Sequence, residues 1–189
     1  MPAPDSTLLN KVARKLGQAP ASVEGRNPVS ILSAAAGYYA LTSDSEELTQ
    51  PSGYDPDAAR LFEAIIESAF VVAHADGTFD AAEQTAFRRV VLLACAGRVA
   101  ERQVTALLAD LSEQLAADGI DKRIDVVGCA VRRPEQAREV LRVAALLAQV
   151  SGGVSPVEHD VLTRLAGKLG VHQSLLEEVL AEARNAMLE

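Results

Sequence analysis

Apolar residues recur along most of the chain at intervals of three and four, and no segment alternates with a period of two. That pattern predicts an all-α protein, a helical bundle of about eight or nine helices. Asp5 or Ser6 is placed to cap a first helix carrying Leu8, Leu9, Val12 and Leu16, which Gly17 closes. Asn27 as N-cap and Pro28 at the first helical position predict a second helix, from Ile31 to Leu41. The stretch from Thr42 to Tyr54, mostly Ser, Thr, Asp, Glu, Gln, Pro and Gly, reads as a linker. Residues 1–54 are therefore expected to form a dispensable helical hairpin and linker, with the main domain over 55–189.

Asp55 followed by Pro56 opens a helix with two adjacent apolar rows: Leu61, Ile65, Ala69 and Val72, then Phe62, Ile66, Phe70 and Ala73. Only a thin polar stripe of Arg60, Glu63, Glu67 and His74 remains, so this helix belongs at the centre of the bundle. Gly77 stands where a left-handed cap ends it, and Asp80 with Glu83 has the spacing of a capping box that starts the next helix. Glu101 to Ala117 is amphipathic and stops at Gly119, before a shorter helix over Ile120 to Val131. From Glu135 a further helix turns Val140, Leu141, Ala144 and Leu147 inward and Glu135, Arg138, Glu139 and Arg142 outward. Ser155, Pro156 and Glu158 start another that ends near Gly170, and a last helix aligns Leu175, Leu176, Val179, Leu180, Ala183 and Met187.

Two of these segments are copies of one another. A shift of 75 residues puts Gly77 on Gly152 and Glu83 on Glu158, with Ala69 on Ala144, Ala73 on Ala148 and Arg89 on Arg164. The main domain is thus built from two related helix, acidic turn, helix halves.

Composition narrows the function classes. Hydrophobic residues make up 49% and aromatics 4% with no Trp, which favours Leu- and Ala-rich helices over strands. A net charge of −8 repels phosphate backbones and excludes nucleic acid as an expected partner. Cys95 and Cys129 lie far apart in apolar runs and are expected to be buried, reduced thiols of a cytoplasmic protein. The first residues lack the basic start and apolar run of a signal peptide, and the longest uncharged apolar stretch is shorter than the roughly 20 residues that span a bilayer. No membrane span is expected.

The acidic turn carries the candidate chemistry. Asp76, Gly77, Phe79 and Glu83 resemble the signature of the tellurite-resistance TerB-like family, and Gly152, Val154 and Glu158 repeat it in weaker form over a resemblance that spans roughly 55–189. The resemblance implies an all-α fold of two halves and a divalent-cation site, calcium or magnesium, made by acids of the two turns. It also implies a non-enzymatic role in metal or chemical stress, exerted through protein partners, a second copy of the chain among the candidates. The metal set it suggests is Asp76, Asp80, Glu83, Glu158 and Asp160. Ser151 stands where the second turn needs the counterpart of Asp76, so this chain has fewer carboxylates than hard cations prefer, and weak or absent metal binding is expected.

Two readings stand beside each other for the acids. Asp80, Glu83 and Glu158 are accounted for by helix capping alone, or by capping together with a cation site; Asp76, at a helix C-terminus where the dipole disfavours it, is not accounted for by capping. The first turn also fits part of an EF-hand loop, but Val72 would hold the first ligand position, which argues against a true EF-hand. His74, His159 and His172 lack zinc-hydrolase spacing, and no nucleophile elbow or phosphate loop is present. A helical scaffold or adaptor without metal is the alternative function, and a metal-dependent hydrolase rests only on the clustered carboxylates.

Overall fold

The structure, a computed structural model, describes residues 5–19, 29–41, 54–77 and 79–188, with only the backbone of Ser151. Its described residues are all-α: α1 (Ser6–Gly17), α2 (Ile31–Ala40), α3 (Pro56–Ala73), α4 (Ala81–Ala94), α5 (Glu101–Ala130), α6 (Pro134–Ala148), a 3-10 turn (Gln149–Ser151), α7 (Pro156–Lys168) and α8 (Gln173–Leu188). Among them there is no strand, as the apolar periodicity predicts.

Local chemistry sets the ends. Asp5 caps α1 by accepting from the Thr7 amide at 3.1 Å, and Asp55 caps α3 with Pro56 behind it. For α2 the cap is Ser30, whose Oγ accepts from the Ser33 amide at 3.1 Å. The proposed cap Asn27 and its Pro28 lie outside the described residues, as do 42–53 of the linker. The helix expected to stop at Gly119 does break there: Gly119 leaves the helical region, with a φ of 76° and a ψ of 168° that only glycine adopts readily, and α5 is two helical segments joined at that kink.

At the centre α3 packs most extensively on α6, flanked by α2 and α5, while α1 rests on α4, α6 and α8. One core runs through all of them. Leu9, Val12 and Leu16 of α1 and Leu32 and Ala36 of α2 share a single buried cluster with Phe62, Ile65 and Ile66 of α3 and Leu141 and Leu146 of α6. The first two helices thus complete the core of 55–189.

Four side chains depart from the sequence reading, Cys129, expected buried, among them. Glu139 and Arg142, expected outward, are 1% and 2% exposed, because α1 and α2 cover that side of α6. Glu67, assigned to a polar stripe, is buried against Arg123 of α5. Of the two cysteines, Cys95 is buried and burial pushes its thiol up to about 12, whereas Cys129 is exposed.

Candidate functional site

The two acidic turns begin from equivalent local structure. After α3 the chain passes through His74 and a left-handed Gly77 (φ 79°), and after α6 through the 3-10 turn and a left-handed Gly152 (φ 108°). Both then enter a capping box. The Glu83 amide donates to Asp80 at 2.9 Å while Glu83 Oε2 accepts from the Asp80 amide at 3.0 Å. The Glu158 amide donates to Ser155 at 3.2 Å while Glu158 Oε2 accepts from the Ser155 amide at 2.8 Å. Each box satisfies backbone donors that the first turn of a helix leaves open.

The two halves are in contact near these turns, α3 with α7 and α4 with the 3-10 turn. The electrostatics agree. Burial raises the Glu158 carboxyl above its ordinary pKa of 4.5, the hydrogen bonds from Ser155 oppose that, and the charges of Asp76 and Glu83 raise it further. Asp76 and Glu83 are therefore each within electrostatic reach of Glu158. Asp80 is fully exposed at its cap, where backbone amides, Glu83 first, hold its carboxyl below the usual value. Asp160 is engaged elsewhere, in an exposed pair with Arg164 at 3.3 Å, and Arg164 also reaches Asp121 on α5. Among the described residues no three acids, histidines or cysteines are spaced to hold a metal ion.

His74 sits beneath the first turn. Its Nδ1 donates to the Phe70 carbonyl at 2.8 Å, and its ring packs on Phe70 (4.0 Å between centroids) and Phe79 (4.4 Å). Phe79 in turn meets Phe70 and Phe87 edge-on at 5.7 and 5.9 Å. Burial lowers the His74 pKa below 6.5, and the hydrogen bond, Asp76 and Glu83 only partly offset it. The neutral ring favoured by this setting leaves Nε2 as an acceptor. The sequence reading did not assemble this aromatic cluster; its signal was the four-residue spacing of Phe70 and His74 followed by an apolar Phe79 inside a polar turn.

Comparison of the chain with models of known families, with curated proteins and with solved structures finds no match.

Proposed function

We propose that this chain is a non-enzymatic, TerB-like helical module that takes up a divalent cation, calcium or magnesium, between its two acidic turns and acts through protein partners in metal or chemical stress. One observation carries the reading: Glu158 is buried, and the negative charges of Asp76 and Glu83 bear on it. The buried acids Glu67 and Glu139 are each met by an arginine, whereas the charges acting on Glu158 are two more carboxylates. Like charges acting on a buried carboxylate are unfavourable, and a cation relieves that repulsion.

The residues fit such an ion only after rearrangement. Glu83 and Glu158 spend Oε2 on their capping boxes, and Asp80 spends Oδ1 on two amides, at 2.8 and 2.9 Å. A bound cation would supply positive charge at the meeting of the turns, and the cost of adjusting the caps keeps affinity low. The scaffold reading is favoured by the same capping bonds, because they satisfy both glutamates without any ligand.

Glu158→Gln separates the two, since an amide oxygen can still accept from the Ser155 amide but brings no charge. Titration with calcium or magnesium at matched ionic strength, followed by calorimetry and melting temperature, should stabilise the parent saturably and Glu158→Gln far less. Equal responses in the two proteins would leave the scaffold without metal as the function.

A further inference from the structure

A groove of about 390 Å³ opens between α4 and α5, away from the capping boxes' own hydrogen bonds, and is lined by Phe70 and Phe79. Its walls are two helical stripes with the same spacing. Ala81, Gln84, Thr85 and Arg88 line it from α4, and Thr105, Leu108, Ala109 and Ser112 from α5. Residues three, four and seven apart share one helix face, so both helices turn a continuous strip toward the groove. The volume falls within the range of small-molecule sites and is too small for a folded partner.

The charge pattern then selects the ligand. The chain carries 26 acidic residues against 18 basic ones, yet among the described residues the groove has no carboxylate and a single cation, Arg88. Arg88 is only 34% exposed, and its ion pair with the outlying Glu101 is long, at 3.8 Å. A partly desolvated guanidinium with so distant a counter-ion is suited to a carboxylate, which it can grip through two parallel N–H bonds. The aromatic and Leu108 surfaces ask for an apolar body on that carboxylate, and the hydroxyls of Thr105 and Ser112 add polar contacts along the wall.

We infer that the α4/α5 groove is a binding site for a small amphipathic carboxylate, its acid group on Arg88 and its apolar part against Phe70, Phe79 and Leu108. Phe79 links the groove to the first acidic turn, because its ring also packs on His74 at 4.4 Å. Occupancy is therefore read by the His74 ring.

The test uses the full chain with 4-phenylbutyrate as probe and 4-phenylbutyramide as its uncharged counterpart, followed by calorimetry and by the imidazole resonances of His74. The acid should bind saturably and shift those resonances. The amide, and the acid on Arg88→Gln, should bind at least about tenfold more weakly, the loss of one charge-assisted pair. Ala109→Trp, at an exposed position on the α5 wall, should fill the groove and abolish the response. Arg88→Gln should fold normally, since an ion pair this long, to a glutamate 70% exposed, contributes little. No saturable binding, equal affinity for acid and amide, an unchanged Kd in Arg88→Gln, or binding that survives Ala109→Trp would each overturn the inference.

Discussion

Arg142 and Glu139, one turn apart on α6 and both out of solvent, meet in a two-pronged pair, Nε to Oε2 at 2.8 Å and Nη2 to Oε1 at 3.0 Å. Each partner also ends a different helix. Arg142 donates to the carbonyls of Lys15, Leu16 and Gln18 at the C-terminus of α1, at 2.9, 3.3 and 3.2 Å. Glu139 accepts from the Leu32 amide at 3.3 Å in the first turn of α2. A cation at a helix C-terminus and an anion at an N-terminus are the favourable choices for both dipoles, so one pair on α6 holds both N-terminal helices.

Removing either member should be expensive. Arg142→Ala leaves Glu139 buried without its partner and strips three carbonyls; Glu139→Ala leaves the guanidinium uncompensated. Each is expected to cost about 3 to 5 kcal/mol, while replacing the pair together with apolar side chains of similar volume should cost much less. Urea unfolding of the three proteins checks this, and additive losses would mean that the pair does not act as a unit.

Deletion of residues 1–54 is the coarser form of the same experiment. It uncovers the faces of α3, α4, α6 and α8 on which α1 and α2 pack, and it removes the helix ends that Glu139 and Arg142 hold. The sequence reading expected a soluble, cooperatively folded remainder. Shared burial of Leu9, Val12, Leu16 and Leu32 predicts instead an aggregating product that binds hydrophobic dye, measured by size-exclusion chromatography and dye fluorescence.

That contrast shows what was legible. Helix number, the caps at Asp5, Asp55, Asp80 and Ser155, and the duplicated turns follow from local rules, because periodicity and capping depend on residues only a few positions apart. The placement of Glu139 and Arg142 does not. On α6 alone they occupy a polar strip, and only the arrival of α1 and α2, more than 100 residues earlier, turns that strip inward. Asp160 at the candidate site is the opposite case: Arg164, four residues along α7, engages it, a spacing that helix geometry makes readable in the sequence.

Gly119 provides a third prediction. Its backbone lies in a region open to glycine alone, and the kink there brings Asp118 within 3.0 Å of Arg123, five residues on. In a straight helix those positions diverge. Arg123 also holds the buried Glu67, whose carboxyl burial raises above its ordinary value despite that partner. Gly119→Ala should destabilise by about 1 to 3 kcal/mol, the cost of forcing a side chain into this conformation. No steric neighbour confuses the result, because an added Cβ would meet nothing within 4 Å. A loss below a few tenths, measured by denaturant unfolding, would mean that α5 straightens without penalty.

The final prediction follows from two groups at the first and second turns that pull stability in opposite directions with pH. His74 has a folded pKa below its ordinary 6.5, chiefly because of burial, so the unfolded chain binds the proton more readily. Its contribution is present above 6.5 and is lost as pH falls through that value toward the folded pKa. Glu158 has a folded pKa above its ordinary 4.5, again first through burial and then through Asp76 and Glu83, so here the folded chain binds the proton more readily. Its ionisation penalises folding at neutral pH, and the penalty fades as pH falls through the raised folded pKa toward 4.5. Urea midpoints in chelator, taken from neutral pH downward, should separate the two. Glu158→Gln should be more stable than the parent at pH about 7 and lose that lead near its unfolded value, while His74→Phe should flatten the decline that begins near the histidine's. A Glu158→Gln protein no more stable than the parent at neutral pH would mean that these carboxylates exert no net repulsion, which removes the reason for a cation between the turns.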